Sequence, residues 1–353
     1  MRITYIVGTR PNFVKMAPVI ARLRERLPDA THSLVHTGQH YDPAMSKIFF
    51  EELGGLPEPD HLLEVGSGTH SQQTARVMER LEPLVEAERP ELMIVPGDVN
   101  STLAASLVAA KALVPLAHIE SGLRSFDRTM PEEINRIVTD RLSDHLFLHC
   151  DEAVENLRAE GTAEERMEFV GNTMIDTLVA LEGRFRPLEA AKSHGLEPGS
   201  YLLVTLHRPA LVDGPLLATA VERLSQVAEQ MPVVFPAHPR TRKQMGASPD
   251  WVTEPVGYLE FLSLEADAGA VLTDSGGIQE ETTFLGTPCF TLRDNTERPV
   301  TIRAGTNTLL GLDPDRIAEI PALLGKRSDP PQPPPMWDGK AGERVAEAVA
   351  ESA

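Results

Sequence analysis

Residues 92–101 read Leu92-Met93-Ile94-Val95-Pro96-Gly97-Asp98-Val99-Asn100-Ser101. Four apolar residues, a Pro-Gly-Asp break and a polar capping residue spell a short buried strand, a turn and a helix, with the cap expected at Asn100 or Ser101. The phrase recurs on both sides. Ile3 to Val7 ends at Gly8-Thr9-Arg10-Pro11 and feeds a helix through Ala21-Arg22-Leu23. Ser33 to His36 closes at Gly38-Gln39-His40, Leu116 to Ile119 at Glu120-Ser121-Gly122, and Leu146 to Leu148 precedes an acidic helix starting near Asp151. Strands alternating with helices predict a parallel sheet covered on both faces.

A second series follows Pro198-Gly199. Leu202 to Leu206, Val233 to Phe235, Val271 to Thr273 and Pro288 to Leu292 each read as a short buried strand leading into a turn or helix. The expected fold class is therefore α/β, with two Rossmann-like doubly wound domains facing a central cleft. The expected boundaries are 1–171 and 172–338, followed by a terminal helix over 339–353 packing back on the first domain. The run Asp329-Pro330-Pro331-Gln332-Pro333-Pro334-Pro335 suits an extended connector, because proline removes the backbone donor that a helix or central strand needs. No internal repeat of fixed period is evident.

Composition narrows the function. The 353 residues carry 33 Lys and Arg against 52 Asp and Glu, a formal charge of −19, which argues against a nucleic-acid face. Cys150 and Cys289 lie far apart and form no zinc spacing or disulfide framework, which fits a reducing compartment. The start MRITYIVGTRPNF is too polar for a secretory signal, and no run approaches a membrane span. A soluble, cytoplasmic protein is the expectation.

In open α/β sheets, ligands bind beyond the carboxyl ends of the strands. That rule selects Arg10 and Lys15, Asp98, Glu120, His207, His238 and Asp274-Ser275-Gly276-Gly277. For Gly8-Thr9-Arg10-Pro11-Asn12, an anion site and a plain tight turn with solvated cations stand equal. In Asp274 to Glu281, paired glycines before a helix suit a diphosphate at the helix N-terminus, and Glu280 and Glu281 are placed on its first turn. The plain reading there is a helix cap at Ser275. Asp98, Glu120 and Glu132 could share general acid and base work, though each alone also has a simple structural explanation. Asp313-Pro314-Asp315 is set aside as a helix start rather than a metal motif. Gly66-Ser67-Gly68 lacks the third glycine of a dinucleotide fingerprint.

Taken in order, further pieces join these. They are Lys15-Met16-Ala17-Pro18, His118-Ile119-Glu120-Ser121-Gly122-Leu123-Arg124, Pro131-Glu132-Glu133-Ile134-Asn135-Arg136, Gly171-Asn172-Thr173, His207-Arg208 and Arg293-Asp294-Asn295-Thr296-Glu297-Arg298-Pro299. The set, spanning nearly the whole chain, resembles the non-hydrolysing UDP-N-acetylglucosamine 2-epimerases. That resemblance implies a glycosyltransferase-B-like fold, a homodimer, and interconversion of UDP-GlcNAc and UDP-ManNAc without metal, nicotinamide or other cofactor. It implies loss of the C2 proton as UDP leaves C1, a 2-acetamidoglucal intermediate, and re-addition of UDP after protonation on the opposite face. By the same resemblance Asp98, Glu120 and Glu132 transfer protons, with His207 assisting near the diphosphate. Arg10 and Lys15 are phosphate-side cations, and Ser275, Gly276 and Gly277 cradle the diphosphate. Glu281 holds the ribose, Phe261 lies near uracil, and His238 lines the same cleft.

One stretch departs from the family. After His207-Arg208 its members commonly carry a further residue and then Glu-Asn, where this chain has Pro209-Ala210-Leu211. Gln39-His40 keeps part of a second-site pattern seen in members that UDP-GlcNAc activates. Three alternatives stand beside the reversible epimerase: a hydrolysing relative releasing ManNAc and UDP, a glycosyltransferase of the same fold, and a binding protein with a dead site.

Overall fold

The structure, a computed structural model, describes residues 1–38, 52–53, 56–246, 248–326 and 333–352. Gln39 and His40, and residues 329–332 of the proline-rich run, lie outside them. The chain forms two compact units, Met1–Ala180 with Pro335–Ala353, and Leu181–Pro334. The division therefore falls inside the helix Thr173–Phe185, and the chain returns to the first unit at Pro335.

The first unit holds a seven-stranded parallel sheet in the order β3-β2-β1-β4-β5-β6-β7. Its strands are β1 (Arg2–Val7), β2 (Thr31–His36), β3 (His61–Leu62), β4 (Leu92–Pro96), β5 (Leu116–Ile119), β6 (His145–Leu148) and β7 (Met167–Phe169). Ile6, Val35, Met93 and Val95 pack on one face against Leu81 and Val85 of helix His70–Glu88 and Ala105 and Ala109 of helix Asn100–Ala112. Each fully buried aliphatic side chain contributes roughly 1.5–3 kcal/mol.

The helix after β4 is capped one residue earlier than its sequence predicts. Val99 is the N-cap, without a side-chain cap bond, and Asn100 and Ser101 are already helical. Their polar groups serve tertiary contacts instead: Asn100 Nδ2 donates to Gln73 Oε1 at 2.8 Å, and Ser101 Oγ meets Thr37 Oγ1 at 2.8 Å. The terminal helix Ala341–Glu351 lies on helix Arg10–Arg26, where a Cβ at Gly342 would press on the Pro18 backbone. Asp176 fastens its start by accepting from the amides of Ala341 (3.0 Å) and Gly342 (2.7 Å).

The second unit repeats the plan with six parallel strands in the order β10-β9-β8-β11-β12-β13. These are β8 (Leu202–Thr205), β9 (Val233–Pro236), β10 (Val252–Thr253), β11 (Ala270–Thr273), β12 (Cys289–Thr291) and β13 (Asn307–Leu309). In each sheet the strand order reverses at one point, between β1 and β4 and between β8 and β11. Those switch points are where a doubly wound sheet opens a crevice for a ligand. The residues after β1, β4, β8 and β11 include most of the expected site. Among the described residues no helix is long and apolar enough to cross a membrane.

Candidate active site

In the first unit, the chain leaves β4 through Gly97, whose φ of +62° is cheap only for glycine. A Cβ there would sit 3.2 Å from Lys15 Nζ and 3.8 Å from Glu120 Oε1, so a side chain would crowd the groups gathered at this point. Asp98 follows, and Glu120 follows β5 with a φ of +67°, a strained conformation for a residue that has a Cβ. Strain of this kind persists where surrounding bonds over-determine it, and here they do. Lys15 Nζ meets Glu120 Oε2 at 2.6 Å, and Arg136 Nη2 meets both Glu120 Oε1 (2.9 Å) and Asp98 Oδ2 (2.6 Å). One guanidinium thus ties two carboxylates together, with Lys15, Glu120 and Arg136 all buried.

Arg136 comes from helix Pro131–Leu142, which begins at proline and carries Glu132 and Glu133 in its first turn. The two glutamates have different work. Glu133 is buried and accepts from the amides of Ser125 (2.7 Å) and Phe126 (3.0 Å), fixing the preceding loop. Glu132 is half-buried and has no hydrogen-bond or ion partner among the described residues. It lies three and four residues before Asn135 and Arg136, on one helical face with them. Arg10, the first residue of its helix, is exposed.

Beneath these groups runs a second buried layer. His118 Nδ1 meets Asp140 Oδ1 at 2.7 Å, and Asp140 Oδ2 accepts from Arg124 Nη1 (2.7 Å) and the Gly122 amide (3.1 Å). Burial works to raise the Asp140 carboxyl, but His118 and Arg124 outweigh it and hold the group below its ordinary range.

In the second unit, His207 follows β8 with its ring exposed and its Nδ1 held by the buried Asp274 at 2.8 Å. Asp274 also accepts from the amides of His207 (2.9 Å) and Arg208 (2.8 Å). Burial pushes its carboxyl up, and these bonds bring it below the ordinary range. Helix Gly276–Leu285 starts next. Ser275 occupies the N-cap position, yet its hydroxyl makes no cap bond. The plain capping reading therefore lacks its defining contact, and the first amides of the helix receive no bond from the Ser275 side chain. Gly276 is required by packing: a Cβ there would collide with the Arg298 guanidinium, which is itself paired with Glu280 and Glu297.

Glu280 and Glu281 stand in the second turn of this helix, not the first, because the helix begins only at Gly276. Both are buried, and Glu281 Oε1 accepts from Tyr258 Oη at 3.0 Å. Burial, and then the neighbouring Glu280, push the Glu281 carboxyl up to about 7 despite the Tyr258 bond. Glu265, fully buried and without a hydrogen-bond partner for either oxygen among the described residues, is raised by burial and by Glu281. Phe261 is half-buried against the core around Leu264 and Val271. His238 is exposed and caps its own helix, Nδ1 accepting from the Arg240 amide at 3.2 Å. Among the described residues no three His, Cys, Asp or Glu side chains are grouped to hold a metal ion.

The family described as UDP-N-acetylglucosamine 2-epimerase matches residues 22–350. The chain belongs to that family. It is 40% identical over 362 residues to the UDP-N-acetylglucosamine 2-epimerase of Methanocaldococcus jannaschii, covering 98% of each. It is 42% identical over 361 residues to the UDP-2,3-diacetamido-2,3-dideoxy-D-glucuronate 2-epimerase of Pseudomonas aeruginosa, covering 99% of each. The crystal structure of the M. jannaschii enzyme, in complex with UDP-GlcNAc and UDP, matches with a TM-score of 0.91 at 39% identity, covering 99% of this chain and 100% of that one. The fold is accordingly the glycosyltransferase-B-like class of two Rossmann-like α/β units.

In the first unit Asp98 and Glu120 come together on Arg136, Lys15 pairs with Glu120, and Glu132 lies on the helix of Arg136. His207 is held by Asp274, which Ser275 follows in the chain, and Glu281 lies in the second turn of the next helix. Sequence reasoning gave no role to Arg136, Asp140 or Tyr258, and selected Asp274 for its strand end without foreseeing that it holds His207. The spacing of Arg136 four residues after Glu132 was the available signal for the first of these.

Proposed function

We propose that this protein interconverts UDP-N-acetylglucosamine and UDP-N-acetylmannosamine without hydrolysis. The observation that carries the reading is a pair of carboxylates, Asp98 and Glu120, joined on one buried guanidinium beside the unpaired Glu132. Moving a proton on and off C2 from opposite faces needs at least two positioned acid–base groups. Asp98, Glu120 and Glu132 take that work, Lys15 and Arg136 keeping the first two in place.

The nucleotide is held by groups of the second unit. The Ser275 hydroxyl and the amides of Gly276 and Gly277, at the positive end of a ten-residue helix, take the diphosphate. His207, oriented through Nδ1 by Asp274, offers Nε2 to the departing oxygen, and Arg10 and Lys15 add phosphate-side charge. Glu281 takes the ribose, Phe261 the uracil, and His238 lines the site. As UDP leaves C1 and the C2 proton is removed, a 2-acetamidoglucal forms. Protonation on the other face and return of UDP complete the reaction. The elimination and re-addition move only protons and UDP, with no hydride transfer, so the proposed route calls for no nicotinamide. A cytoplasmic homodimer is the proposed working state.

Incubation with UDP-GlcNAc in deuterated water tests the proposal. Deuterium should appear at C2 of both nucleotide sugars at equilibrium. Free ManNAc accumulating with UDP selects the hydrolysing route, and UDP release that waits for an added acceptor, with no deuterium at C2, selects a glycosyltransferase. The 42% identity to the Pseudomonas diacetamido-uronate epimerase favours one second reading, a modified UDP-sugar as the preferred substrate. Comparing kcat/KM for the two sugars decides it.

A further inference from the structure

We propose that His118 is a positioning residue for the reaction, acting through the Gly97 carbonyl to set the aim of Asp98. The inference rests on Asp98 as a proton carrier. His118 lies on β5, opposite Val95 of β4, and is completely buried, so it does not touch substrate. Its Nε2 meets the Gly97 carbonyl at 2.7 Å while its Nδ1 meets Asp140 at 2.7 Å. The Gly97 carbonyl can only accept, so Nε2 donates to it.

The geometry brackets Asp98 on both sides. The peptide plane before its Cα is held by His118 through the Gly97 carbonyl, and the Gly97 amide donates to the Ile119 carbonyl at 2.9 Å. The plane after it is held by Asn135, whose Nδ2 donates to the Asp98 carbonyl at 2.8 Å. With both planes fixed, the Asp98 backbone dihedrals are set, and the side chain is delivered to Arg136 at 2.6 Å. Three of the supports, Asn135, Arg136 and Asp140, come from one helix, Pro131–Leu142. Fixing a reacting group this way matters because a displacement of 1 Å costs on the order of 100-fold in rate.

Two substitutions separate this role from plain core packing. His118→Gln retains a donor at the reach of Nε2 and gives up the Asp140 bond, whereas His118→Asn retains the Asp140 side and gives up Gly97. The expected result for His118→Asn is a kcat lowered about 100-fold, with KM and the affinity for UDP changed by less than about threefold. His118→Gln should keep about ten times more of the rate than His118→Asn. Equal loss in the two variants, or a normal kcat in His118→Asn, overturns the proposal. If His118→Asn does not fold, Asp140→Asn frees the ring while leaving the Gly97 bond available. Slower turnover at unchanged UDP affinity is then expected, and wild-type turnover overturns the idea.

A substrate-free measurement keeps the two readings apart. A crystal structure of His118→Asn, or of Asp140→Asn, should show Asp98 displaced from Arg136, and an unmoved Asp98 overturns the positioning role. Wild-type protein inactive on UDP-GlcNAc would count against the proposed function alone, since the crystallographic comparison still decides this one.

Discussion

Two groups of buried carboxylates, one in each unit, solve the same problem in opposite ways. In the first unit Glu120 meets Lys15 and Arg136, and Asp140 meets Arg124 and His118, while Glu133 is held by backbone amides. In the second, Glu281 accepts from the Tyr258 hydroxyl, and among the described residues Glu265 has no hydrogen-bond partner for its oxygens. Desolvation pushes carboxyl groups up in both places. The cations decide the outcome, holding Asp140 below its ordinary range while Glu281 rises to about 7. Burial alone therefore says nothing about the charge of an acid. Its partners do.

The largest effect should come from Asp98→Asn. Removing a proton carrier should lower C2 exchange by about 10²–10⁴-fold while calorimetry shows UDP still bound. Near-normal exchange would remove Asp98 from the chemistry and leave the first group merely structural. Next, Arg136→Met takes the shared cation from Asp98 and Glu120. Breaking a buried pair from one side costs about 3–5 kcal/mol, readable by urea unfolding, and a loss below 1 kcal/mol would show that these acids do not depend on pairing.

The third prediction concerns pH and runs with opposite sign in the two units. Asp140 has a depressed folded-state pKa, so its contribution is present above the ordinary carboxyl range and is lost as pH falls through the folded value. Glu281 has a raised one. The folded chain keeps a proton that the unfolded chain has released, so this contribution is present below about 4.5 and fades as pH rises through about 7. Nucleotide-free protein should lose stability across that upper window, and Glu281→Gln should flatten the slope there. An unchanged slope would assign the dependence elsewhere. The smallest effect belongs at the solvent edge of the first group. Glu160, paired with Arg124 at 2.7 Å but 40% exposed, should cost under about 1 kcal/mol on Glu160→Gln, measured by thermal unfolding.

The comparison also explains which parts of the site were legible before folding. Asp98, Glu120, His207 and Ser275 were found because each follows an apolar strand run, and a parallel sheet presents that end to ligands. Arg136 and Asp140 were not singled out, and Asp274 was selected only for its strand end, with no role of its own. Their importance lies in contacts made across elements 16 to 67 residues apart, which leave no local pattern. Nor could the net charge of −19 show that the first group is internally neutralised.

The strands divide the same way. Nine apolar runs announced β1, β2, β4, β5, β6, β8, β9, β11 and β12, all interior to their sheets. The four that went unrecognised, β3, β7, β10 and β13, are the four sheet edges. An interior parallel strand is covered on both faces and carries a core of apolar residues, so its sequence declares it. An edge strand of two or three residues pairs on one side only and is specified mainly by the neighbour it joins. By itself, then, the sequence determined the fold class, the two interior sheets and the strand ends where chemistry belongs. Tertiary structure alone decided which acids find a cation, which are left with a proton, and where each sheet stops, because those depend on neighbours distant along the chain.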